Sequence, residues 1–290
     1  MDKAFCTYVA YLAQKSVLYE VSATPKPGLV DRNNSGAHRD MDFFTFMSSG
    51  ASLYEGFFRC TLQGMNFQGL DLSQLLGEIR SIGIEMEEKM FKSTRGINTH
   101  KGIIFSLGIL CAAVGYLYQK EEKQNPKAER VCEVVAQMTK GITHTELENL
   151  KNKKQFTYGE KLFLQYGITG IRGEVESGFK TVRKKGIDLF RDLSSQDEIE
   201  INHILIQILL SIMTLCVDSN VISRQGIGGL EYVQKYARKI ISQGGVFSKK
   251  GKEAIEVMDR DFIKRNISPG GSADLMAVTV FLGMLEDTGV

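Results

Sequence analysis

The chain has 290 residues, 43% of them apolar and 24% charged, with 36 Lys and Arg against 34 Asp and Glu. A formal charge of +2 excludes any argument from bulk charge for a nucleic acid or a membrane surface as partner, so an anionic ligand must be met by local groups. The five cysteines, Cys6, Cys60, Cys111, Cys132 and Cys216, form no C-x-x-C pair, which excludes a zinc knuckle or a thioredoxin-like couple and reads as reduced, buried thiols of a cytoplasmic protein.

Periodicity predicts helices almost throughout. Phe5, Tyr8, Val9, Leu12, Val17, Leu18 and Val21 recur at helical intervals over residues 4–22, behind an acidic, polar-interrupted start unlike a signal peptide. A second helix is predicted over 42–64 and a third over 70–91, with Asp71 or Ser73 as its cap. The rest follow at 100–119, 128–140, 143–151, 158–166, 173–191, 197–217, 227–242, 248–265 and 272–286. The apolar stretches 102–118 and 201–217 approach the length of a membrane span. The second carries Asn202, His203 and Gln207, and neither has the aromatic and basic flanks of a span, so both are expected to be core helices. They suit a dimer interface as readily as a core. No strand pattern, internal repeat or composition break interrupts the chain, and the expectation is one all-α, multi-helix domain over 1–290.

Five polar, glycine-containing stretches break the rhythm, each at a predicted helix end: "SATPKPGLVDRNNSGAHRD" (22–40), "STRGINTHKG" (93–102), "YGITGIRGEVESGF" (166–179), "DSNVISRQGIGG" (218–229) and "RNISPGGSADL" (265–275). Such places favour phosphate. A helix N-terminus offers unpaired N–H groups and partial positive charge, glycine lets backbone approach an anion, and Lys or Arg adds full charge. Pro269, Gly270, Gly271 and Ser272 suit one such entrance; Asn98, Thr99, His100 and Lys101 suit another; prolines stiffen the backbone on both sides of Lys26. Taken singly, each is more often a turn with a cap than an anion site. Known phosphate and hydrolase signatures, the Walker A loop, G-x-G-x-x-G, H-E-x-x-H and G-x-S-x-G, are absent. Carboxylates accompany the loops: Asp31, Asp40, Asp42, Glu174, Asp218 and Asp274. Beside a triphosphate they call for a bridging hard cation, for which Mg²⁺ is expected. The competing reading is that Asp40 or Asp42 caps a helix and Asp218 ends one.

The strings "TPKPGLVDRNNSGAHRDMDFFTF", "GINTHKGIIFSLGIL", "RGEVESGF" and "ISPGGSADLMAVTVFL" together resemble the triphosphoribosyl-dephospho-CoA synthase family, in order and spacing from about residue 15 to 285. "RGEV" and "GFK" depart from the "RGEA" and "GFP" of that family, and Gln225 stands where a second glycine would also fit. The resemblance implies an all-α enzyme, with a nucleotide pocket built from loops at helix ends. Its 2′-hydroxyl acceptor, 3′-dephospho-CoA, attacks C1′ of the ATP ribose, adenine leaves, and the triphosphate stays on the product. That product is a prosthetic-group precursor for a citrate lyase or malonate decarboxylase acyl carrier protein, loaded by a further transferase. Within this frame Lys26, Arg32, Arg95, Asn98, His100, Lys101, Arg172, Arg224, Gly270, Gly271, Ser272 and Asp274 are expected to bind substrate. Asp31, His38, Asp40 and Glu174 are the candidates for ribose-cation stabilisation and proton transfer, and Glu20, Asp31 and Asp218 for Mg²⁺. A Mg²⁺-dependent nucleotide or ADP-ribose hydrolase and a non-catalytic nucleotide-binding module are the other readings.

Overall fold

A computed structural model describes residues 2–121, 124–147, 156 and 158–286. Among them are fifteen α-helices and no strand. In chain order they are α1 (Lys3–Ser22), α2 (Phe43–Ala51), α3 (Tyr54–Asn66), α4 (Leu72–Ser93), α5 (Lys101–Lys120), α6 (Ala128–Met138), α7 (Ile142–Leu147), α8 (Tyr158–Tyr166), α9 (Gly170–Glu176), α10 (Lys180–Lys185), α11 (Ile187–Ser194), α12 (Ile201–Met213), α13 (Ser219–Ser242), α14 (Lys249–Lys264) and α15 (Gly270–Glu286). A 3-10 turn at Gly245–Phe247 precedes α14.

Helix α5 forms the centre. It is long and apolar enough to cross a membrane, but 78% of its most apolar window is buried inside the bundle. Its closest neighbour is α3. A Cβ on Gly64 would stand 1.9 Å from the Ala112 carbonyl oxygen, and one on Gly115 would stand 2.1 Å from that of Thr61, so two glycines set the helix separation. Helices α1, α12 and α15 complete a continuous apolar core running from Phe5 to Leu285. Both apolar helices bury most of their residues in the core. All five cysteines are buried free thiols, and burial pushes Cys60 and Cys132 up to about 12.

Four boundaries differ from the periodicity. The helix predicted over 42–64 is two helices, because Ser52 closes α2 by donating its hydroxyl to the Ser49 carbonyl. The one predicted over 173–191 is three. Gly178 (φ 62°) and Phe179 (φ 54°) turn the chain in the left-handed region, and a Cβ on Gly178 would strike the Cys132 carbonyl at 2.5 Å. The helix predicted from 227 begins at Ser219 and kinks at Gly226 (φ 67°). Asp218 is the cause, because its carboxylate accepts from the Asn220 and Val221 amides. The helix predicted over 143–151 is seen as Ile142–Leu147, and 148–151 lie outside the described residues.

Candidate functional site

The five polar stretches meet. The N-termini of α5, α13 and α15 point into one cleft of about 380 Å³, whose remaining walls are the 23–42 loop, α2 and α9. Three helix starts thus direct partial positive charge at one volume, the arrangement that holds phosphate oxygens.

Asp218 organises the anion side. Its Oδ1 caps α13; its Oδ2 accepts from the Ser272 amide (2.7 Å) and hydroxyl (3.0 Å), so one buried carboxylate locks the starts of α13 and α15 together. Gly270 and Gly271 line the cleft beyond it. A Cβ on Gly270 would stand 2.7 Å from the Asn220 amide nitrogen, and one on Gly271 3.2 Å from the Asp218 carboxylate. Lys101, at the first position of α5, faces the same space and pairs with Glu87 of α4 at 2.9 Å. Arg172 of α9 and Arg224 of α13 complete a cationic rim. Arg224 is anchored by its bonds to the Ala37 carbonyl and Asn266.

The floor is charged. Lys26 (1% exposed) and Glu20 (3%) form an ion pair at 2.5 Å. Beside them Asp274, the fifth residue of α15, packs over the α5 backbone, where a Cβ on Gly102 would stand 2.0 Å from its Oδ2. Burial, then the neighbouring Glu20 and Asp218 carboxylates, holds the Asp274 carboxyl well above its usual range, and Lys26 opposes them. His38, half-buried at the mouth, meets the Ser268 hydroxyl at 2.9 Å. Burial and Arg224 lower its pKa, against Asp40, so the ring is neutral at physiological pH.

Of the residues expected in the site, Glu20, Lys26, His38, Asn98, Lys101, Arg172, Glu174, Arg224, Gly270, Gly271 and Asp274 line the cleft. Several others are employed elsewhere. Asp31 is buried, and its carboxylate holds the 23–42 loop by accepting from the Thr24 hydroxyl and the Lys26, Asn33 and Asn34 amides. Asp218 is filled by α13 and α15. Ser272 contributes to that lock rather than to the cleft. Neither Asp31 nor Asp218, both expected at a metal or ribose, is part of the cleft lining. Arg32 is exposed beside Asn202, Asp40 is 65% exposed at 4.0 Å from the His38 ring, and Arg95 sits in an exposed turn at φ 57°. Glu174 reaches the cleft wall, yet its carboxylate accepts from the Thr181 hydroxyl and amide. The start of α5 adds Asn98, whose side-chain oxygen accepts from the Lys101 amide.

His100 lies behind the cleft. It is fully buried, its Nδ1 meets the Ser49 hydroxyl at 2.6 Å, and its Nε2 has no partner. Burial and Lys26 push it from 6.5 to about 3. Between those values the unfolded imidazole binds a proton that the folded one refuses, so stability falls as pH drops through this window. Urea unfolding of wild type and His100→Gln from pH 7 to 4.5 checks this: the variant should show the shallower pH dependence, and equal slopes would contradict the assignment.

Sequence reasoning missed Met41 and Phe46, which line the mouth from the start of α2, and Glu87, whose position on α4 carries no local signal. Asn220 and Ser268 also line it and stood inside two of the polar stretches.

With the geometry in place, comparison with known proteins is specific. A family model described as ATP:dephospho-CoA triphosphoribosyl transferase matches residues 6–289. The 2-(5″-triphosphoribosyl)-3′-dephosphocoenzyme-A synthase of Escherichia fergusonii is 40% identical over 277 residues, which cover 94% of this chain and 89% of that protein. The synthase of the same name from Klebsiella pneumoniae is 40% identical over 274 residues, with the same coverage of both chains. A solved chain from Archaeoglobus fulgidus is 16% identical, with a TM-score of 0.48, over 83% of this chain and 99% of that one.

Proposed function

The chain belongs to the ATP:dephospho-CoA triphosphoribosyl transferase family, and from that premise we propose that its cleft moves the 5-triphosphoribosyl group of ATP to the 2′-hydroxyl of 3′-dephospho-CoA. The observation that carries this reading is the convergence of three helix N-termini with Lys26, Lys101, Arg172 and Arg224 on one cleft. A triphosphate that is to survive the reaction must be held by many donors without strain on its own bonds.

The chemistry is displacement at C1′ of the ribose. The acceptor oxygen forms the new bond, the bond to N9 of adenine breaks, and positive charge develops on the sugar between those events. Neutral His38 at the mouth is suited to take the acceptor hydroxyl proton. The buried Glu20 carboxylate, already balanced by Lys26, lends negative potential to the floor below the sugar.

Mg²⁺ enters this reading as the ion that ATP carries on its triphosphate. The carboxylates expected to ligate a resident ion are occupied: Glu20 by Lys26, Asp31 by four donors, Asp218 by two helix starts. No group of three or more His, Cys, Asp or Glu side chains able to hold a metal occurs among the described residues. A substrate-borne ion needs no such cage, because phosphates and water supply its ligands.

Downstream, the reading passes the product to a transferase that loads the acyl carrier protein of citrate lyase. The malonate decarboxylase carrier is the alternative, and loading assays on the two apo-carriers separate them. Five buried thiols suit a reducing compartment, and the reading places the reaction in the cytoplasm. Incubation of the enzyme with ATP and Mg²⁺, with and without dephospho-CoA, tests the function. Adenine should appear only when dephospho-CoA is present. ADP or AMP as product would mark a phosphate hydrolase, and saturable ATP binding without turnover a non-catalytic module; either would overturn the proposal.

A further inference from the structure

A departing purine needs a proton, because adenine is a poor leaving group as an anion. Most cleft carboxylates are unsuited to give one. Glu174 is held by the Thr181 amide and hydroxyl, Glu20 is paired with Lys26 and Glu87 with Lys101, while Asp31 and Asp218 are tied to backbone amides outside the cleft lining. Asp40 is exposed at the mouth. Asp274 differs from all of these. It lines the cleft, and among the described residues no hydrogen-bond donor is seen on its carboxyl. Gly102 makes room for it from below, since a Cβ there would stand 2.0 Å from Oδ2 and push the carboxyl aside.

We propose that Asp274 is the acid of this transfer, giving its carboxyl proton to a ring nitrogen of adenine as the bond between C1′ and N9 breaks. The inference rests on the function proposed above. The bonding pair goes to adenine, the acceptor oxygen bonds to C1′, and the acceptor hydroxyl proton goes to His38. After release that proton returns to Asp274 through water, so the net transfer is from hydroxyl to adenine and no further reactant is needed. The surroundings suit both ends of the cycle. Glu20 of α1 and Asp218 before α13 disfavour charge on Asp274 before the reaction, as does burial beside the Cys216 thiol. Lys26 of the 23–42 loop and the α5 N-terminus steady the carboxylate after it. Gly102 is a positioning residue, since any side chain there displaces the carboxyl.

The test compares leaving groups in Asp274→Asn. Adenine release from ATP should fall by about 10²–10⁴-fold, the usual worth of an acid catalyst. Transfer from a synthetic ribose 5-triphosphate bearing 4-nitrophenol at C1 should stay close to wild type, because nitrophenolate departs without a proton. The wild-type rate should fall as pH rises through the acid's pKa, and the variant should lose that limb. Gly102→Ala should show the same leaving-group pattern, with the carboxyl intact but displaced. Equal losses on both substrates would reduce Asp274 to a structural or binding role, and unchanged adenine release would remove it from the reaction; either overturns the proposal. Wild type run in parallel keeps the failures apart, because a wild type that releases no adenine contradicts the transferase reading itself.

Discussion

Lys26→Met should destabilise the fold by about 3–5 kcal/mol, the usual result of leaving one buried charge without its partner. The prediction follows from burial more than from distance. Lys26 and Glu20 are 1% and 3% exposed, so water cannot take over solvation of the abandoned carboxylate. Glu20 and Asp274 would then face each other with no cation between them, and adenine release should fall as well. The double variant Glu20→Gln, Lys26→Met removes both charges and should regain most of the stability but not the activity. Urea unfolding midpoints with a common slope provide the check. A loss below about 1 kcal/mol in the single variant, the figure for an exposed pair, would show that the pair is solvated.

The second large effect belongs to Asp218→Ala. This carboxylate accepts from two amides of α13 and from the amide and hydroxyl of Ser272, in a place sealed from solvent. Its removal takes an N-cap, worth about 0.5–2 kcal/mol, and leaves buried donors unmet, at about 1–3 kcal/mol. A loss of about 3 kcal/mol is expected. The functional consequence is separate: Gly270, Gly271 and Asn220 lose their common anchor, so KM for ATP should rise at least tenfold. Asp218→Asn should recover part of the α13 cap and little of the tie to Ser272, since an amide nitrogen opposes the Ser272 N–H. Unfolding curves together with ATP saturation curves decide it. A destabilised enzyme with an unchanged KM would mean that the lock does not shape the phosphate site.

Much of the site was legible because its chemistry is written in short strings. Lys101, Gly270 and Gly271 could be read as anion contacts from glycine and basic residues at helix entrances, and these residues do line one cleft. The individual duties of the carboxylates were not legible. Asp31 and Asp218 look the same as Asp274 in sequence, each an acid in a polar loop. What separates them is how many amides turn back onto each one, and that depends on loop closure and on Ser272, which lies 54 residues from Asp218. Gly102 shows the same limit: within "NTHKG" it reads as a helix-entrance glycine, and only the fold places Asp274 above it. The helix pattern held where apolar spacing was regular, as in α1, α4 and α5. It failed where breaks come from tertiary contact, as at Gly178 against Cys132, or where a cap begins the helix early, as at Asp218.

A pentosyl transfer keeps all three phosphates on the sugar, whereas phosphoryl transfer or phosphate hydrolysis breaks a phosphate bond. The most direct measurement is therefore the fate of label from [γ-³²P]ATP incubated with enzyme, Mg²⁺ and dephospho-CoA, with adenine quantified in the same samples. The label should pass entirely into a dephospho-CoA conjugate, one equivalent for each adenine released. Label appearing in free phosphate or pyrophosphate, or adenine released without the conjugate, would contradict a triphosphoribosyl transfer in this cleft.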